Sequence, residues 1–294
     1  MPRFAVPGII DVLVVKDPAQ VAALARDPRL DRAYKPRGRL INRMLLGRLT
    51  RVLQLKGQPL PPVAERGALR PTAAQAALEA RLNEIAAAGI PDAAVASLAA
   101  YVRGAGRDKD AGRLAQEAVG RLFAPEYQGT AASWDDAKVL GAAPSNLNPV
   151  KGLIWALTGR VSRARATLAR MVGDDPSGLH GTGVAIHNLE HAVRRMRRLY
   201  ADGKGLAPRS AAWAVGNALG APRQVLRTPT CRMDIEAGRL EPDTLVVLQL
   251  DAANLQRPGR DLVFMRDAWS RCPAHRWAPE LLAAVWRRAA AGGP

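Results

Sequence analysis

The chain is predicted to be mainly α-helical with a small β element, forming one domain over residues 1–294. Three observations carry that expectation. Alanine and arginine dominate while aromatic residues make up only 4%, and both dominant types favour helix. Glycine and proline punctuate a series of apolar segments between residues 72 and 226. Runs rich in β-branched residues are confined to a stretch near each end. With 294 residues, 48% hydrophobic and 23% charged, the chain can bury a large core and is globular rather than disordered. No repeat, linker or low-complexity segment divides it.

Taken in order, Ile9–Val15 reads as a buried strand, and Asp17-Pro18 opens a short helix through Ala25. Residues 26–70 are rich in Pro, Gly and Arg, with a helical piece around Ile41–Leu53 inside a segment expected to wrap the surface or form an entrance region. A strong helix follows from Thr72 to Ala88, capped by Thr72 and ended by Gly89. Further helices are expected at Asp92–Val102, Asp110–Leu122, Ser133–Leu140, Val150–Met171, Gly181–Tyr200 and Pro208–Leu226. Cys231–Glu236 and Thr244–Leu250 read as the strands of a hairpin, with Gly238 and Pro242-Asp243 between them. The last helix spans Arg276–Ala291.

The formal net charge is +17. Its cations are spread along the chain, the densest cluster being Arg194, Arg195, Arg197 and Arg198. Interleaved stacking aromatics and a nucleic-acid motif are missing, which argues against specific nucleic-acid binding. The charge suits an acidic protein partner instead. Two cysteines, Cys231 and Cys272, make no disulfide framework. The sequence has no signal-peptide core and no run of membrane-spanning length, so a soluble cytoplasmic protein is expected.

The most informative stretch is Arg271-Cys272-Pro273-Ala274-His275-Arg276-Trp277-Ala278-Pro279-Glu280-Leu281. It places a cysteine between arginines, just ahead of an apolar helix, where cations and the helix dipole stabilise a thiolate. Such a thiolate is a nucleophile or a metal ligand. The pattern resembles the haem-ligand loop of the cytochromes P450. Other pieces in the same order are similar to that family: Val14 to Val21 with Asp27-Pro28-Arg29-Leu30, Glu65 to Pro71 running into the Thr72 helix, and Gln224-Val225-Leu226-Arg227 where the family carries Glu-x-x-Arg. Arg232, then Glu241 to Val247 and Asp251-Ala252-Ala253-Asn254, continue the series.

The resemblance implies a P450-like, shortened fold binding haem b, with Cys272 as the iron ligand and Arg232 and Arg271 as partners of the haem carboxylates. It further implies an oxidoreductase, monooxygenase or peroxygenase in type, acting on a small apolar substrate and served by an acidic ferredoxin-type redox partner. The sequence departs from the family in three places. Gln224 replaces the glutamate, the loop before Cys272 lacks the glycine-rich spacing, and the candidate oxygen-side helix at residues 180–191 has no acid–Thr pair. Thr182, His187 and Glu190 are the acid–base candidates there. Two alternatives stay open: a haem-binding or interaction protein that keeps the fold without catalysis, and a zinc metallopeptidase. The latter rests on His187-Asn188-Leu189-Glu190-His191, which matches His-x-x-Glu-His, with both histidines one helical turn apart and Glu190 as general base.

Overall fold

The computed structural model describes residues 1–36, 38–63, 72–143, 149–203, 209–236, 238–257 and 260–292. The chain divides into two compact units.

The first unit, built mostly from Met1–Ala77 and Ala221–Cys272, carries the main sheet. Its elements are β1 (Arg3–Val6), β2 (Ile10–Val15), α1 (Pro18–Arg26), β3 (Leu30–Asp31), α2 (Leu40–Val52), β4 (Gln54–Leu55), β5 (Gln58–Pro59), β6 (Val225–Pro229), β7 (Met233–Ile235), β8 (Gly238–Leu240), β9 (Leu245–Leu248), α12 (Leu250–Gln256) and α13 (Arg260–Phe264). Five strands form the sheet in the order β1-β2-β9-β6-β3. Strand β9, Leu-Val-Val-Leu, is buried along its whole length because it lies in the middle, parallel to β2 and antiparallel to β6. Strand β2 alternates, turning Asp11, Leu13 and Val15 inward. Leu13, Val15, Val21, Leu24, Val246, Leu248 and Leu250 make the core between sheet and helices. Asp17 caps α1, accepting from the Gln20 amide at 2.9 Å, with Pro18 at the first helical position.

Asp11 is the one acid that β2 buries. Arg3 donates to it through Nε and Nη2, both at 2.9 Å, Arg39 at 3.1 Å and the Thr244 hydroxyl at 2.7 Å. Burial alone would push its carboxyl up, but these donors win and hold it below the usual carboxylate range. Asn42 finishes the cluster, bonding both the amide and the carbonyl of Asp11.

The second unit holds most of α3 (Ala73–Ala88), then α4 (Asp92–Val102), α5 (Ala111–Gly120), α6 (Ala131–Ala142), α7 (Pro149–Leu157), α8 (Arg160–Met171), α9 (Pro176–His180), α10 (Ile186–Asp202), α11 (Ala211–Ala218) and α14 (Trp277–Ala291). Its core includes Leu98, Ala99, Leu140, Leu168, Val193, Met196, Leu281 and Leu282. Gly112 allows α5 to meet Trp134 of α6, since a Cβ there would fall 2.0 Å from the indole.

The mainly helical expectation holds, and four boundaries are corrected. Val150–Met171 is two helices, because Gly159 takes φ +60° and turns the chain. Gly181–Tyr200 opens with a wide π turn at Gly181–Ala185 before α10 begins. Pro208–Leu226 ends its helix at Ala218, and Val225 already belongs to β6. In place of the expected hairpin, β7 pairs with β8 while β9 joins the main sheet. The Glu65–Pro71 match lies outside the described residues.

Candidate functional site

The loop that ends at Cys272 is built by turns. Helix α13 stops at Phe264, and Met265 reverses the chain at φ 50°. Ala268 N–H then donates to the Met265 carbonyl, Arg271 N–H to that of Ala268, and Cys272 N–H to that of Phe264 at 2.8 Å. The last bond closes the loop and fixes Trp269, Ser270 and Arg271 ahead of the half-buried Cys272.

Two arginines are buried against this loop. Arg227, in the middle of β6, is 0% exposed, and Arg32, just past β3, is 7% exposed. Arg227 donates to the Ser270 hydroxyl at 2.5 Å and to the Leu226 carbonyl at 2.9 Å. Arg32 donates to the Gln75 side-chain oxygen at 2.9 Å, while the Gln75 amide holds the Arg271 carbonyl at 2.6 Å. Both guanidiniums lie over the Trp269 ring, at 5.1 Å for Arg32 and 5.5 Å for Arg227. Stacking of this kind is worth about 0.5–2 kcal/mol per cation. Removing one ion from water costs several kcal/mol.

The deficit appears in the charges themselves. Burial, and then the neighbouring Arg32, push Arg227 down to about 9. Burial also lowers Arg32, against weaker opposing pulls from Tyr34 and Cys272. Asp31 pulls the other way on Arg227 but already accepts from the Thr228 hydroxyl at 2.7 Å and the Ala33 amide at 3.2 Å. Three buried N–H groups of the cluster have no hydrogen-bond partner: Nε of Arg32, Nε of Arg227 and Nε1 of Trp269. Unsatisfied buried donors are rare in native structures and mark a place where an acceptor belongs. Two like charges with three spare donors have the chemistry to take up an anion.

The remaining sequence candidates fall as follows. Arg271 is exposed and enters the cluster through its backbone carbonyl. Arg232 is not gathered there: its exposed side chain pairs with Glu241 at 2.9 Å beyond the β7–β8 hairpin. The Glu-x-x-Arg likeness of Gln224 and Arg227 is lost, since these residues enter a strand and do not share a helical turn.

Thr182, His187 and Glu190 belong to the helical unit. Thr182 is fully buried in the π turn, and its hydroxyl donates to the Gly178 carbonyl at 2.8 Å. Its own carbonyl accepts from Gln116 at 3.0 Å. The His187 ring lies 5.1 Å from Trp134, with Nε2 3.1 Å from the Ala137 carbonyl, and Gly141 leaves room for it. Burial lowers the pKa of His187, so the ring is neutral at pH 7 and its Nε2–H serves as donor. Buried Glu190 is held by Arg194 and by Nδ1 of the exposed His191 at 3.3 Å. The two histidines of His-x-x-Glu-His thus face different partners. Among the described residues, no three His, Cys, Asp or Glu side chains gather as a metal site. The zinc reading is not favoured.

Sequence reasoning misses Arg32, Gln75 and Trp269, and offers Arg227 only within the Glu-x-x-Arg likeness. Nothing local marks Arg32 among its arginine-rich neighbours. Arg227 had a signal in the run Val225 to Thr228, whose β-branched ends fit a strand better than a helix end.

No family model matches the sequence, and no curated protein matches it. Solved structures do match in shape. CYP154C4 from Streptomyces sp. W2061 superposes on 98% of this chain and 83% of its own, with a TM-score of 0.54 at 13% identity. The cytochrome P450 enzyme CxnD, for C–S bond formation in chuangxinmycin biosynthesis, covers 94% of this chain and 79% of its own, with a TM-score of 0.54 at 11% identity. A 6-coordinated cytochrome P450 from Thermus thermophilus gives 95% and 85%, with a TM-score of 0.51 at 14% identity. The chain has the cytochrome P450 fold, in a shortened form.

Proposed function

We propose that this chain is a haem-thiolate oxidoreductase, monooxygenase or peroxygenase in type, acting on a small apolar substrate. Cys272 is the ligand of the iron of haem b, and Arg32 and Arg227 are the partners of its carboxylates. The observation that carries this reading is the pair of buried guanidiniums over Trp269, with spare N–H donors beside the Cys272 loop. A haem brings two carboxylates for the cations and an iron for the thiolate, so one ligand answers both. The residues present therefore fit the group. The role read from sequence for Arg232 and Arg271 passes to Arg227 and Arg32.

When bound, haem supplies the redox chemistry, with dioxygen or peroxide as oxidant. The chain's own residues hold it. Ser270 and Trp269 orient Arg227, and Gln75 ties Arg32 to the Arg271 carbonyl, so that cations and cysteine loop are positioned together. Thr182, His187 and Glu190 are the groups this reading has for proton handling. All three are engaged within the fold, which favours peroxide over a dioxygen route needing ordered proton delivery. If dioxygen is used, electrons come from an acidic ferredoxin-type partner, which the +17 charge would attract in the cytoplasm.

The same engagement supports a second reading, a haem-binding protein without catalysis. The test is an absorption spectrum of the haem-supplemented protein, reduced and exposed to carbon monoxide, beside Cys272→Ala. The expected result is a strongly red-shifted Soret band that the variant loses. Peroxide-driven turnover in the loaded protein then separates enzyme from binder, and absence of any Soret band rejects both.

A further inference from the structure

Helix α7 is apolar on nearly every side and lies almost wholly in solvent. Val150, Leu153, Ile154 and Leu157 are between 52% and 78% exposed. Their spacing of three, four and seven residues places them on one stripe. A helix of this composition is ordinarily covered, and a contiguous exposed apolar surface marks an interaction site. Its neighbours are cationic. Lys151 stacks over Trp155 at 4.7 Å. Helix α8, which follows directly, carries Arg160, Arg163, Arg165 and Arg170 and no acid. Arg160 is paired with Asp136 of α6, while Arg163 and Arg170 are exposed.

We propose that α7, together with the basic face of α8, docks on an anionic lipid surface and lies in the plane of the interface. Nine residues rise about 14 Å, less than half the ~30 Å of a bilayer core, so the helix rests on the membrane and does not cross it. Large aliphatic residues, a tryptophan and cations on one short helix and its continuation are the composition that partitions to a lipid interface. Charge complementarity selects lipid over a second copy of the chain. Two copies meeting at α7 would each bring the same arginines and a net +17. An acidic protein would satisfy the arginines, but the four aliphatic side chains offer it no polar group to fix its register.

The experiment is flotation of the full chain with vesicles of phosphatidylcholine alone and of phosphatidylcholine mixed with phosphatidylserine. Binding to the mixed vesicles is expected, weakened by salt and absent without phosphatidylserine. The double variant Leu153→Ser/Leu157→Ser should partition at least about tenfold less. Its melting temperature should not change, because both side chains are exposed in the fold. Arg163→Glu/Arg170→Glu should give a comparable loss. The proposal is overturned if the chain ignores phosphatidylserine vesicles, or if it binds them equally after Leu153→Ser/Leu157→Ser. A lipid-free dimer that those substitutions dissolve, seen by sedimentation velocity, would assign the stripe to self-association instead.

Discussion

The sheet unit buries charge in two places, and it treats them in opposite ways. At Asp11 one carboxylate meets two arginines and a hydroxyl, and the second arginine, Arg39, also pairs with Asp243 at 2.9 Å, so two acids answer two bases. At the Cys272 loop two guanidiniums meet a ring, an amide and a hydroxyl, and Asp31, the carboxylate that acts on Arg227, already accepts from Thr228 and Ala33. The first cluster is electrostatically closed and explains itself as structure. The second holds more positive charge than Asp31 offsets, and a bound anion would relieve the cost of burying it. Balance separates the two clusters, each with two arginines, and so does burial: Arg3 and Arg39 keep about a quarter of their side chains exposed, whereas Arg227 and Arg32 are sealed.

Substitutions can sharpen or break that contrast. The largest expected effect is at the closed cluster. Asp11→Ala takes the carboxylate from Arg3, leaves Arg39 with Asp243 alone and strands the Thr244 hydroxyl, and should lower stability by about 3 kcal/mol in urea unfolding, with haem affinity unaffected in whatever protein folds. The sign of its pH dependence follows from the lowered carboxyl. Its contribution is complete above the unfolded value of 3.8 and is lost as pH falls through the folded one.

The open cluster should answer the other way. Arg227→Met or Arg32→Met removes a charge that repels its neighbour, so the haem-free protein should melt at the same temperature or higher. Haem affinity should nonetheless fall about tenfold for each, with the loss of one charge-assisted contact. A haem-free protein strongly destabilised by either change would make the arginines structural and erase the distinction.

Smaller effects are expected in the helical unit, where Thr182, His187 and Glu190 are each engaged within the fold. His187 has a lowered folded pKa, so the unfolded chain takes up its proton first as pH falls below 6.5. Stability should therefore decline from pH 7 towards the folded pKa, in a window that opens near 6.5, whereas that of Asp11 opens near 3.8. The decline should flatten in His187→Gln, measured by denaturant midpoints. Smallest of all, His191→Ala removes an exposed side chain and should change stability by less than about 0.5 kcal/mol. A large loss there would mean that the Glu190–Arg194 pair depends on its third member.

Much of the scaffold was legible beforehand. Helices α3, α4 and α14 lie within a residue of where periodicity and capping place them, because those signals are local: Gly89 ends one helix and an alanine-rich face continues another. The reading failed where neighbours in space decide. Residues 219–226 lose their helix because Val225–Pro229 finds β9 and β3 on either side, pairings that no window of sequence contains. Cys272 could be singled out from its own flanks, and Thr182, His187 and Glu190 from theirs. Arg32 and Arg227 could not. They are separated by 195 positions in the chain and meet only because strand pairing sets Asp31 opposite Thr228.

The sequence by itself thus determined the helical class, the fold resemblance and the cysteine loop, all of which rest on interactions between residues close along the chain. Tertiary structure alone decided which arginines lose their water and which keep it. Burial is a property of surroundings: Arg232 and Arg227 are similar in sequence context, yet one pairs with Glu241 in solvent and the other is sealed behind a sheet and a tryptophan.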